Sequence, residues 1–199
     1  MRHTVDYYFA PNSPWTYLGH ARLVALLQDS DADVRVLPMD LGQVFPVSGG
    51  LPLPKRAPQR QAYRLLELRR FADALSVPLH VQPEFFPVAA DDAARLIVAT
   101  DMEAGASAAL ALTGAIGAAV WADQRNIAEA DVLGELLREC GLDSALLVRS
   151  REEAVQTRYA QNTQAAIDGG VFGAPTYVVD GELYWGQDRL DFVQRRLSV

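Results

Sequence analysis

The sequence predicts an α/β protein in which a four-stranded mixed sheet is interrupted by a large α-helical insertion. Three observations carry this: a β-α-β opening, a long middle with helical periodicity, and a β-β-α close around Asp180-Gly181. At 199 residues the chain is long for one small domain and short for two independent ones. Half of its residues are apolar, enough for a well-filled core.

Residues 4–9 are a β-branched and aromatic run of strand type. Residues 14–27 carry Trp15, Leu18, Leu23, Leu26 and Leu27 as a helical stripe, and residues 33–37 alternate as a second strand. A β-α-β order favours a parallel pair joined by a right-handed crossover. After Phe45, Pro46, Gly49, Gly50, Pro52, Pro54 and Pro58 mark a long loop, of the kind that is usually functional or disordered. From Gln59 to about Gly169 the expectation is helix throughout. "QAYRLLELRRFADAL" lines up Ala62, Leu65, Leu66, Leu68, Ala72 and Leu75, and further runs fall near 91–103, 107–121, 131–140 and 151–168. Two short strands, Thr176–Val179 and Glu182–Trp185, then flank Asp180-Gly181, a strong hairpin signal. Gly186 ends the second strand, and "QDRLDFVQRRL" makes a closing helix with Arg195 and Arg196 near its C-terminal end. Joined, the flanks 1–45 and 166–199 give a thioredoxin-like domain, and 46–165 is an inserted α-helical domain.

A net charge of -7 and a pI near 4.9 argue against nucleic acid or an anionic membrane as partner. The small basic group Lys55, Arg56 and Arg60 suits a small anion better than a polymer. Residues 104–122 carry no charge over nineteen positions, yet nine are Ala and three are Gly, which suits a buried helix better than a membrane span. Cys140 is the only cysteine, so no intrachain disulfide can form, and it reads as a buried, inert thiol. "MRHTVDYYFAP" has no apolar run of signal-peptide length, so a cytoplasmic location is expected. His3, His20 and His80 lack ligand spacing with one another or with Cys140, and no metal is expected.

In a thioredoxin-type fold the reactive position is the N-terminus of the first long helix. Here Ser13-Pro14-Trp15-Thr16 stands in place of Cys-x-x-Cys, which excludes dithiol exchange at this site. A hydroxyl remains among backbone N–H groups without intrahelical partners, a place that stabilises an anion. Ser13 before Pro14 is equally an ordinary helix cap worth about 1 kcal/mol, and the two roles compete for Oγ. Pro175 either starts a strand where no ladder donor is needed or is a cis proline facing that helix N-terminus. Asp188 either caps the last helix or, with Gln187, offers a carboxylate and an amide to a ligand.

The stretches "YYFAPNSPWTYLG", "PLPKRAPQRQAYRLLELRR", "FFPVAADDAAR", "RNIAEADVL" and "GVFGAPTYVVDGELYWGQDRLDF" together resemble 2-hydroxychromene-2-carboxylate isomerases. These are glutathione-dependent relatives of the kappa-class glutathione transferases within the DsbA-like thioredoxin superfamily. The resemblance implies that Ser13 hydrogen-bonds the glutathione sulfur and that Ala174 and Pro175 hold its cysteinyl backbone. It gives Gln187 and Asp188 to the γ-glutamyl end. Arg60 falls where relatives place a lysine near ligand carboxylates, with the charge kept and the geometry changed. Where relatives carry Asn after Phe-Pro, Phe86-Pro87 is followed by Val88-Ala89-Ala90, so that ligand contact is missing or replaced. Trp15 and Tyr17 stand open between packing and substrate wall. The implied reaction, in aromatic catabolism, converts 2-hydroxychromene-2-carboxylate to trans-o-hydroxybenzylidenepyruvate by reversible thiolate addition. The implied partners are a small aromatic carboxylate and a second copy of the chain as homodimer. A kappa-type transferase and a thioredoxin-fold binding module without turnover are the competing readings.

Overall fold

Alternation along the first strand decides how the sheet is covered. In the computed structural model, which describes residues 3–198, β1 (His3–Phe9) turns Val5, Tyr7 and Phe9 into the main core and Tyr8 to the opposite face. Tyr7 stacks between Phe9 and Tyr177, with ring centroids 4.5 and 5.6 Å away. β1 is followed by α1 (Pro14–Gln28) and β2 (Ala32–Pro38), which runs parallel to it, as the β-α-β order predicts. β3 (Thr176–Val179) pairs antiparallel with β1, and β4 (Glu182–Trp185) with β3, giving the order β2-β1-β3-β4. Asp180 and Gly181 close this hairpin with φ of 51° and 81°, both positive as a two-residue primed turn requires.

Between β2 and β3 lie α2 (Leu41–Ser48), α3 (Pro58–Leu75), α4 (Asp91–Trp121), α5 (Ala130–Glu139), α6 (Leu146–Arg149) and α7 (Glu153–Asp168); α8 (Leu190–Leu197) closes the chain. Two expectations are corrected. The stretch after Phe45 does not begin a long loop, because α2 runs through Pro46 to Ser48. Asp40 starts that helix by accepting the Gly42 N–H, and Gly49 at φ 76° ends it, so Pro46 costs only one interior bond. The region 76–90 is not helical: Ser76 leaves α3 at φ 53°, and Pro78, Pro83 and Pro87 keep the chain extended or turning. The runs expected at 91–103 and 107–121 are both present as the two arms of α4, separated by a break at Gly105 with φ 82° and ψ 174°.

α4 is long and apolar enough to cross a membrane by composition, but here it is a core helix carrying buried Leu96, Ile97, Leu112, Ile116 and Trp121. Its small residues let α1 approach closely: a Cβ at Gly114 would lie 3.1 Å from the His20 ring, and one at Gly117 3.1 Å from Tyr17. The main core is continuous, running from Val5 and Tyr177 through Leu112 and Ile116 to Leu133 and Val193. A second cluster, Tyr8, Met39, Val44, Ala166 and Val171, covers the other face of the sheet under α2 and α7.

Candidate active site

The chain leaves β1 through Ala10-Pro11-Asn12 and enters α1 at Ser13, whose N–H donates to Ala10 O at 3.0 Å. Ser13 is extended (φ -78°, ψ 126°) and only 8 % exposed. Its Oγ accepts the Thr16 N–H at 3.3 Å, and its carbonyl accepts the Tyr17 N–H at 3.0 Å. Pro14 has no N–H, so the Trp15 amide is the first-turn donor without a partner among the described residues. The cap and ligand roles of Ser13 therefore do not compete. The cap uses a lone pair of Oγ and leaves the O–H free to donate. Thr16 Oγ1, buried beside it, has no hydrogen-bond partner.

Strand register brings the second segment alongside. Tyr8 pairs with Thr176, so Ala174-Pro175 lies just beyond the end of β1, and the peptide between them is cis. Pro175 O accepts the Gly186 N–H at 2.9 Å, which ties the far end of the hairpin to the same place. Gly186 sits at φ 107°, and a Cβ there would lie 2.6 Å from Asp188 Oδ1, so the carboxylate folds back over the glycine. Asp188 does not cap the last helix: neither the 3-10 turn Gln187–Arg189 nor α8 receives a side-chain cap. Gln187 is buried against Gly19 of α1, and Arg22 donates to its carbonyl and to its Oε1 at 3.3 and 3.4 Å.

These segments border a pocket of about 520 Å³ whose walls include Trp15, Arg56, Arg60, Arg64, Ala174 and Asp188. Trp15 meets Phe71 edge-on at 5.9 Å while lining it. Tyr17 lies outside the lining, with its ring against Gly117 and its hydroxyl donating to Pro78 O at 2.8 Å. Arg60 is exposed at the rim. Arg64, one turn further along α3, is half-buried and rests over Phe86 and Trp121, its guanidinium carbon 5.3 and 5.7 Å from the ring centres. Burial first, and repulsion from Arg56 second, push its pKa down to about 10. Arg56 is lowered as well, by burial and then by Arg60.

The sequence pointed to Arg60 and missed Arg64. A signal was present in the four-residue spacing of Arg60 and Arg64, which puts these two on one side of α3, while Arg56 reaches the same pocket from the segment before the helix. At the departure after Phe86-Pro87, the Val88 carbonyl accepts from Asn12 Nδ2 at 2.8 Å, so this segment braces the turn before Ser13. Cys140 is half-buried at the end of α5, and burial raises its thiol pKa, which agrees with an inert role. Among the described residues no group of three His, Cys, Asp or Glu could hold a metal. A groove of about 630 Å³ between α1 and α4 is larger, but its lining is aliphatic apart from His20, Gln28 and Ser107. His20 is held neutral there: burial lowers its pKa to about 4, Nε2–H donates to Leu110 O at 2.9 Å, and Nδ1 faces the Tyr7 hydroxyl at 3.3 Å.

A helix N-terminus with unspent donors, a cis proline across from it and a basic pocket define a thioredoxin-class ligand site without sulfur of its own. The family model described as a DSBA-like thioredoxin domain matches residues 4–198, and the chain belongs to that family. It is 34% identical over 204 residues to 2-hydroxychromene-2-carboxylate isomerase of Pseudomonas sp. (strain C18), covering 98% of this chain and 90% of that one. A solved 2-hydroxychromene-2-carboxylate isomerase superposes with a TM-score of 0.84 at 27% identity, over 98% of this chain and 94% of that one. Glutathione S-transferase kappa 1 of Rattus norvegicus is 26% identical over 193 residues, covering 91% and 84% of the two chains. Within the DSBA-like class the chain is thus a member of the 2-hydroxychromene-2-carboxylate isomerase family, and it is an isomerase.

Proposed function

We propose that the protein is a glutathione-dependent cis-trans isomerase acting on 2-hydroxychromene-2-carboxylate or a related conjugated aromatic carboxylate. The observation that carries this is the start of α1, where the Ser13 O–H and the Trp15 N–H are both uncommitted and Trp15 lines a basic pocket. The residues present fit the tripeptide: Ala174, whose peptide to Pro175 is cis, and the Asp188 carboxylate line the same pocket as the basic side chains of Arg56 and Arg60. Ser13 would hold the sulfur, the backbone of Ala174 and Pro175 the cysteinyl part, and Asp188 the γ-glutamyl ammonium. Gln187 accepts from Arg22 through Oε1, which leaves its Nε2 donors for that end. Arg60 at the rim would meet an outer carboxylate. Trp15 forms a wall, and Tyr17 supports α1 from behind.

Held by Ser13, Ala174 and Asp188, glutathione would supply a thiolate nucleophile for reversible addition to a conjugated carbonyl compound. The protein's task is to keep that sulfur ionised. A free thiol has a pKa of about 8.5, and lowering it by about two units takes roughly 2.7 kcal/mol of selective stabilisation. A helix N-terminus supplies about 0.3–1 kcal/mol, up to ~2 when partly buried. A hydrogen bond to the charged sulfur adds roughly 1.5–3 kcal/mol, so the Ser13 hydroxyl is needed and the dipole alone does not suffice.

Kinship with the kappa transferase makes transfer the alternative outcome of the same site. Product analysis separates the two: isomerisation leaves total glutathione constant while the alkene changes, and transfer consumes glutathione. Titration calorimetry precedes both, and a failure to bind glutathione at millimolar concentration sinks either enzyme reading.

A further inference from the structure

The pocket holds more positive charge than its own residues neutralise. Its two carboxylates each have an arginine neighbour of their own, Glu67 with Arg70 at 2.7 Å and Asp188 with Arg189 at 3.1 Å. Among the described residues no carboxylate pairs with Arg56, Arg60 or Arg64. Arg64 is the most buried of these three, and a guanidinium held half out of water beside a like charge is destabilising until an anion arrives. Its setting also selects the kind of anion. The guanidinium rests on Phe86 and Trp121, which leaves its edge N–H groups for the two oxygens of a carboxylate. That aromatic base is anchored at the reactive end, because Trp121 Nε1 donates to Asn12 O, one residue before Ser13, at 3.3 Å.

We propose that Arg64 is the receptor for the carboxylate of the substrate and sets a preference for aromatic carboxylates over their neutral counterparts. This rests on the isomerase reading above. It separates the substrate anion from the tripeptide, which that reading sets against Ala174, Pro175 and Asp188. Arg64 positions the acceptor carbon beside the Ser13 end of α1, and its aromatic support limits how far the carboxylate can shift.

The test is titration calorimetry with an inert probe, 2-hydroxybenzoate, and its neutral partner 2-hydroxybenzamide, on the wild type, Arg64→Leu and Arg64→Lys. The wild type should bind the carboxylate and discriminate against the amide. Arg64→Leu should bind the carboxylate roughly tenfold or more weakly, with the preference abolished. Arg64→Lys should fall between, since a point charge lacks the paired donors. Glutathione affinity should stay within about twofold, and the melting temperature of Arg64→Leu should not fall, as it would if the guanidinium served packing alone. Unchanged carboxylate binding in Arg64→Leu overturns the proposal, as does absence of binding to the wild type, or a loss of glutathione affinity in place of probe affinity. Turnover is scored separately. Loss of probe binding without turnover of any conjugated oxo acid would leave the Arg64 site standing and remove the isomerase substrate. Turnover with unaltered probe binding in Arg64→Leu would do the reverse.

Discussion

At the scale of single residues the site depends on which lone pairs and protons are already committed. Ser13 Oγ accepts from Thr16 and has donated to nothing, so Ser13→Ala removes two contributions of different size. The cap is worth about 1 kcal/mol of stability. The bond to a thiolate is worth roughly 1.5–3 kcal/mol, or about a 10- to 100-fold loss of kcat/KM. Steady-state kinetics beside urea denaturation should show the activity loss exceeding the stability loss; activity within about twofold of wild type with a lowered midpoint would return Ser13 to a cap. His20 makes a second prediction. The folded protein keeps it neutral down to about pH 4, against an ordinary value of 6.5. Between those values the unfolded chain binds the extra proton, so stability is complete above the upper value and declines as pH falls through the window, by on the order of 3 kcal/mol. The fall measured by urea denaturation from about pH 7 to about pH 4.5 should be smaller in His20→Gln. An identical fall would assign the acid sensitivity to other groups.

At the scale of elements, breaks matter as much as periodicity. The stripe of α1, the two strands of the hairpin and the start of α3 were legible because their side chains repeat with the backbone. α2 was not, since Pro46 and Gly49 read as loop punctuation, while the Asp40 cap that offsets them is local geometry. The break in α4 was visible as a gap between two helical runs, and the structure assigns it to Gly105. Its φ and ψ belong to a region that only glycine occupies without strain, although open space surrounds the Cα. Gly105→Ala should therefore cost about 1–3 kcal/mol of stability with no clash to relieve. Thermal denaturation checks it, and a neutral result would show that α4 can run on as an unbroken helix.

At the scale of the molecule, the helices between β2 and β3 and the sheet share one core. α4 packs on both α1 and β2, and the same cluster holds Tyr177 of the sheet and Leu137 of α5. We expect a single cooperative transition in urea, seen together by far-ultraviolet circular dichroism and by tryptophan emission from Trp15, Trp121 and Trp185. Two resolved transitions would mean that the insertion is a folding unit of its own. The sequence by itself determined the order of the strands and of the long helices, the Ser-Pro start of α1, the Asp-Gly turn and the absence of reactive sulfur at the site. These are local properties, written in periodicity and in residues with restricted backbones. Tertiary structure alone decided that Gln187 meets Arg22 through Oε1 and that Arg64 meets Phe86 and Trp121 in the pocket. Those contacts join residues far apart in the chain, and only the docking of the Gln187–Arg189 turn on α1 and of α3 beside Trp121 brings their atoms within reach.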